Sequence, residues 1–125
     1  MKAKTSISGI VRHGQNRGKA LGFPTINIGL EKTIEEGIYL SHILIAGKQY
    51  NALTFIGTAK TFDEETYQSE TYVLDFNENV YGKEVSVTLL KKLRENKKFI
   101  SIETLVAQME QDKLQAKAFF KTLPV

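Results

Sequence analysis

The sequence predicts a mainly β fold: a six-stranded antiparallel closed β-barrel with one C-terminal α-helix packed against it. Three observations lead there. Through much of residues 5–93, β-rich runs and alternation of apolar with polar residues mark half-buried strands. Short turns separate several of these runs, which suits antiparallel neighbours. Near residue 101 the apolar period changes to that of a helix. Closure into a barrel also removes the exposed edges of an open sheet.

The elements follow in order. Thr5 to Val11 and Phe23 to Ile28 supply the first two strands. Ile38 to Ile45 and Tyr50 to Ile56 are β-rich runs joined by Ala46-Gly47-Lys48, a short hairpin connection. Glu70 to Phe76 forms a fifth strand, and Val85, Val87 and Leu89 alternate with Ser86 and Thr88 in a sixth. The helix covers about residues 101–122 on its helical periodicity. Its apolar stripe is Ile102, Leu105, Val106, Met109, Ala116, Phe119, Phe120 and Leu123, weaker around Asp112 and Lys113. Ser101 suits the N-cap and Glu103 the first turn. Packing against the barrel is the expected use of the stripe, ahead of a partner-binding face.

With 125 residues and no visible repeat or internal linker, residues 1–125 are expected to form a single domain. The chain has no cysteine, which excludes disulfides, thiolate catalysis and cysteine-ligated metals. Neither a signal peptide nor a long apolar run is visible, so a cytoplasmic protein with no membrane partner is expected. A monomer is expected too. The net charge of +3 conceals an asymmetry. Residues 1–30 carry Lys2, Lys4, Arg12, Arg17 and Lys19 and no acid. Residues 61–82 carry Asp63, Glu64, Glu65, Glu70, Asp75 and Glu78 and no lysine or arginine. A basic segment for phosphate and an acidic one for a base suit a kinase; solvated surface charge is the plain alternative for each residue alone.

The chemistry concentrates in Gly18-Lys19-Ala20-Leu21-Gly22-Phe23-Pro24-Thr25-Ile26-Asn27. Glycine-rich backbone beside a lysine lets amides and a cation approach phosphate oxygens closely. Thr25 and Asn27, two apart on a strand, project from one face, where two neutral oxygens can help hold a hydrated Mg²⁺ that carries phosphates. Gly14 to Ala20 is one residue short of a Walker A loop and lacks its Ser/Thr, and no Rossmann fingerprint is present. A tight turn with a solvated lysine remains the other reading.

Glu70 is the candidate general base. Sharing a strand face with Tyr72, Leu74 and Phe76, it ends an apolar stripe, where partial desolvation would raise its pKa. A rim glutamate at a strand start is the alternative. His13 and His42 have no partner at metal-ligand spacing, and His42, between Leu40 and Leu44, reads as a core or rim histidine. Ser6, Ser8 and Ser41 lack a nucleophile context.

Together these motifs resemble riboflavin kinase, the C-terminal half of bacterial bifunctional FAD synthetases. Gly37-Ile38-Tyr39, Ile56-Gly57-Thr58, Glu70 to Phe76, Tyr81-Gly82, Leu93-Arg94 and Lys98-Phe99 follow in the family's order, so the likeness covers roughly residues 6–120. The resemblance implies transfer of the ATP γ-phosphate to the 5′-hydroxyl of riboflavin, giving FMN. It puts the catalytic base at Glu70 and Mg²⁺ with the ATP phosphates at Thr25 and Asn27. Gly18, Lys19 and Gly22 would form the phosphate loop, and Asp75, Phe76, Tyr81 and Arg94 would hold the flavin. Arg94 and Phe99 could equally anchor the barrel to the helix.

Two positions depart from the family pattern: Phe55 replaces a polar asparagine, and Lys60 replaces a turn proline. The adenylyltransferase half is absent from this sequence, so a chain of this extent is expected to make FMN and stop. A non-catalytic flavin- or nucleotide-binding module on the same barrel is one alternative. A single-stranded nucleic-acid binder is another, disfavoured because Tyr72 and Phe76 lie in an acidic segment. Small molecules are therefore the expected partners.

Overall fold

The computed structural model describes residues 5–12, 19, 22–30, 33–58 and 67–123. Its strands are β1 (Thr5–Ile10), β2 (Ile26–Ile28), β3 (Gly37–Ile45), β4 (Lys48–Gly57), β5 (Gln68–Val73) and β6 (Glu84–Arg94), followed by helix α1 (Ile102–Thr122). They form one antiparallel sheet in the order β1-β6-β3-β4-β5-β2. An antiparallel bridge between Arg12 and Asn27 brings the two ends of that sheet together, so the barrel is nearly closed. The predicted fold class is the observed one.

Strand boundaries follow local chemistry. Ala46 and Gly47, at φ 50° and 79°, make the two-residue turn whose twist matches a β3–β4 hairpin, pairing Ile45 with Lys48. The strand predicted for Phe23 to Ile28 contracts to Ile26–Ile28, although Phe23 is buried against the Tyr72 ring at 5.3 Å. Similarly, β5 ends at Val73 instead of continuing to Phe76. Asp75 takes a left-handed φ of 54°, which breaks the ladder and redirects the chain. Phe76 therefore leaves the face of Glu70. Leu74 joins the helix-side cluster, whereas Phe76 packs against the barrel interior, its ring 4.8 Å from that of Tyr50.

Alternation separates two apolar layers. Ile43, Ile56, Val85 and Val87 are fully buried inside the barrel, as the β6 pattern requires. Leu40, Leu53 and Leu74 point outward instead and are covered by Ala116, Phe119 and Phe120 of α1. The helix begins in a capping box, with Thr104 N–H donating to Ser101 Oγ at 3.2 Å and Ser101 N–H to Thr104 Oγ1 at 3.2 Å. Its predicted stripe is deeply buried only in part: Ile102 is exposed and Leu105, Val106 and Met109 are half-buried. Asp112, where the stripe weakens, is buried among partners described below. His42 stacks on Phe120 at 5.6 Å, a packing role in keeping with the core or rim histidine read from the sequence. Among the described residues, no helix is long and apolar enough to cross a membrane.

A polar ladder runs through the barrel interior. Ser41 Oγ lies 2.8 Å from Thr54 Oγ1, which lies 3.0 Å from Thr71 Oγ1, and all three residues are 0% exposed. Ser41 is thus a structural hydroxyl. Replacing Thr54 by Val keeps the shape but strips a partner from both neighbours, so it should cost about 1–3 kcal/mol. Thermal unfolding of Thr54→Val is expected to show a lower midpoint; an unchanged midpoint would mean the ladder contributes nothing net.

Candidate active site

The site begins with strand register. Asn27 of β2 pairs with Glu70 of β5, and Glu70 pairs with Phe55 of β4. Directly opposed residues share a face with Cβ atoms about 5 Å apart. The alternating burial of β5 puts Ser69, Thr71 and Val73 inside, so Gln68, Glu70 and Tyr72 face outward. By the same alternation Ile26 and Ile28 turn inward and Asn27 outward. The register continues from Phe55 to Ile38 and from Ile38 to Arg94, and in the other direction from Asn27 to Arg12. Arg12, Asn27, Glu70, Phe55, Ile38 and Arg94 are therefore successive neighbours across the outer wall.

Glu70 is half-buried, and both its carboxylate oxygens are engaged. Thr25 Oγ1 donates to Oε1 at 3.2 Å, and Gln68 Nε2 donates to Oε2 at 3.1 Å. Two bonds on opposite oxygens fix the carboxylate plane, while a carboxylate keeps further lone pairs for a substrate proton. The threonine also keeps its lone pairs, because in this bond it is the donor. Beside it, Asn27 Oδ1 is buried with no hydrogen-bond partner among the described residues. A buried orphaned carbonyl is costly unless something binds it. Thr25 and Asn27 thus present neutral oxygens of the kind a hard cation takes, and they fit Mg²⁺.

The structure brings together Thr25, Asn27 and Glu70 from the sequence-predicted set. Gly22 sits at φ 90° just before this segment, and Lys19 is exposed; Gly18 and Lys60 lie outside the described residues. The four flavin candidates are not gathered around Glu70. Asp75 and Tyr81 are exposed, and Phe76 sits on Tyr50, in register with Ile43. Arg94 is in register with Ile38, and its guanidinium makes a fork with Asp112: Nε to Oδ1 and Nη2 to Oδ2, both 2.8 Å. It also lies over the Phe99 ring at 5.7 Å, which makes it a barrel-to-helix anchor. Between base and anchor, Phe55 is half-buried.

Two residues of this face and one of α1 escaped sequence reasoning. Gln68 could have been found, since it lies two before Glu70 and so shares its face. Asp112 announced itself only as a gap in an apolar stripe. Arg12 gave no local signal, because its neighbour Asn27 is distant in the sequence.

The rim near this row is held by side chains. Lys92 Nζ lies between Glu35 Oε1 at 2.8 Å and Glu95 Oε1 at 2.7 Å. The hydrogen bond from Lys92, then its charge, holds the Glu35 carboxyl below the usual range. Asn96 Nδ2 donates to Thr58 O at 3.1 Å and to Glu36 Oε1 at 3.3 Å, joining three loops.

The profile of the Flavokinase family, described as riboflavin kinase, matches residues 1–120. The chain belongs to the riboflavin kinase family. It is 37% identical over 123 residues to a bifunctional riboflavin kinase/FMN adenylyltransferase of Bacillus subtilis, covering 94% of this chain and 39% of that protein. Among solved structures, a Streptococcus pneumoniae protein named as a macrolide-efflux protein superposes with a TM-score of 0.81 at 33% identity. The match covers 92% of this chain and 39% of that one. Riboflavin kinase from Trypanosoma brucei superposes with a TM-score of 0.64 at 25% identity, over 94% of this chain and 80% of that one. Thus this riboflavin kinase-family chain spans well under half the length of the bifunctional relative.

Proposed function

We propose that the chain transfers the γ-phosphate of Mg-ATP to the 5′-hydroxyl of riboflavin, giving FMN and ADP, with Glu70 as general base. The observation that carries this reading is the Thr25–Glu70 hydrogen bond beside the orphaned Asn27 Oδ1. It supports a carboxylate set against a pair of neutral oxygens that suit a cation. Phosphoryl transfer asks mostly for positioning and charge neutralisation, which this arrangement can supply.

In the proposed reaction the riboflavin hydroxyl gives its proton to Glu70 as its oxygen bonds to the γ-phosphorus. The bond from that phosphorus to the β,γ-bridging oxygen breaks, and ADP leaves. Thr25 and Asn27 would hold Mg²⁺, which when bound neutralises phosphate charge; remaining ligands come from phosphate and water. Thr25 and Gln68 keep the carboxylate aimed. Gly18, Lys19 and Gly22 would line the phosphate side, Lys19 as a cation. Phe55 and Tyr72 flank Glu70 with apolar surface, which excludes competing water from the base. Asp75, Phe76 and Tyr81 are proposed for the flavin, with Arg94 contributing through the helix that it anchors.

The test is incubation of the chain with riboflavin and Mg-ATP, followed by chromatographic separation of flavins. FMN and ADP are expected in equal amounts, and EDTA should abolish both. Flavin or nucleotide binding without any FMN would overturn the catalytic reading and leave a binding module.

A further inference from the structure

Arg12 is fixed on the same face by two features, one of its backbone and one of its side chain. Its backbone makes the closing bridge, with Arg12 N–H donating to Asn27 O at 2.8 Å. Residues bridged in this way carry their side chains on the same side. The side chain of Arg12 accordingly stands next to that of Asn27, outside the barrel. From there its guanidinium lies across Gly29, two residues beyond Asn27 on β2's continuation. A Cβ at Gly29 would collide with Nη1, Cζ and Nη2 of Arg12. The glycine is the seat that lets the guanidinium lie close against the backbone.

Among the described residues, no carboxylate forms an ion pair with Arg12. Arg94, by contrast, is neutralised by a two-pronged carboxylate contact. Arg12 is instead placed by shape, beside the buried Asn27 carbonyl oxygen, which has no hydrogen-bond partner among the described residues. A guanidinium presents parallel N–H donors matched to the oxygens of a phosphate. A cation for phosphate and a neutral oxygen for its metal are complementary halves of one polyphosphate site.

We propose that Arg12 binds the triphosphate of the nucleotide held at Thr25 and Asn27, gripping phosphate oxygens through its guanidinium. This rests on the reading of Thr25 and Asn27 as the Mg-nucleotide site. It adds an anchor just beyond β1, so that the bridge closing the barrel also closes on the substrate. Nucleotide binding and barrel closure are thereby coupled at a single residue pair.

The test compares Arg12→Gln, Arg12→Lys and Arg12→Ala with the unaltered chain. Glutamine and lysine keep an aliphatic stem over Gly29, so they separate charge from packing. KM for Mg-ATP is expected to rise about tenfold or more in Arg12→Gln, the scale of a lost charge-assisted contact. KM for riboflavin should stay within about twofold, and calorimetric binding of Mg-ATP should weaken by the same factor as its KM. Lysine should recover only part of the loss, because a point charge cannot make the forked contact. A folded Arg12→Gln with unchanged Mg-ATP binding would overturn the proposal, as would equal rises in both KM values. Asn27→Ala is run in parallel. If it abolishes Mg-ATP binding while Arg12→Gln does nothing, only the assignment of Arg12 fails. If it leaves Mg-ATP binding intact, the nucleotide-site reading itself fails.

Discussion

Glu70→Gln is expected to lower the rate of FMN formation by about 10²–10⁴-fold, the range that a positioned general base contributes. The substitution is nearly isosteric, and the local hydrogen bonds can survive it. Thr25 can still donate to the side-chain oxygen of the new residue, while the Gln68 amide can turn its own oxygen toward the new N–H. The melting temperature and both KM values should therefore move little, leaving the loss in kcat alone. Such a split marks an interaction made in the transition state and not in binding. Glu70→Asp tests geometry separately. Withdrawing the carboxylate by one methylene breaks its reach to Thr25 and Gln68, so a smaller but clear loss is expected. A Glu70→Gln enzyme that retained a tenth or more of wild-type turnover would remove Glu70 from the role of base and leave the family assignment untouched.

How far the sequence disclosed this site depends on how local each signal is. The outward faces of Asn27 and Glu70 rest on a period of two, which β2 and β5 keep because strands cannot change it; Thr25, just before β2, is placed by its hydrogen bond to Glu70. Val85, Val87 and Leu89 were legible for the same reason. Phe76 was misplaced because the strand pattern was extended across Asp75, whose positive φ no periodicity reveals. The helix stripe was read correctly as packing, but its gap at Asp112 could not be interpreted without Arg94, which arrives from β6. Arg12 was visible only as one member of a basic segment. Its neighbour is set by barrel closure, a relation between the two ends of a sheet that linear spacing does not encode.

The Arg94–Asp112 pair carries the second large expected effect. Asp112 has a side chain 5% exposed, and Gln108 Nε2 donates to its Oδ1 at 2.9 Å; Arg94 is 19% exposed and also donates to Glu95 O at 3.0 Å. Breaking a buried pair costs about 3–5 kcal/mol because one charge is left stranded. The stranded carboxylate in Arg94→Ala is the more buried group, so that variant should fall near about 3 kcal/mol. Asp112→Ala leaves an arginine that can reach water and its Glu95 carbonyl, so about 2 kcal/mol is expected. Denaturant unfolding of both variants and the double variant measures this, and the double should cost less than the sum of the two singles. Kinetics then decide what the anchor is for. Both residues hold α1 over Leu40, Leu53 and Tyr72, the wall next to Glu70. If Arg94 serves the flavin only through that helix, Arg94→Ala and Asp112→Ala should raise KM for riboflavin alike, with no further rise in the double variant. If the guanidinium touches the flavin, Arg94→Ala should raise KM well beyond Asp112→Ala. The anchor reading fails if Asp112→Ala leaves both stability and KM unchanged, because a buried carboxylate held by three hydrogen bonds would then be holding nothing.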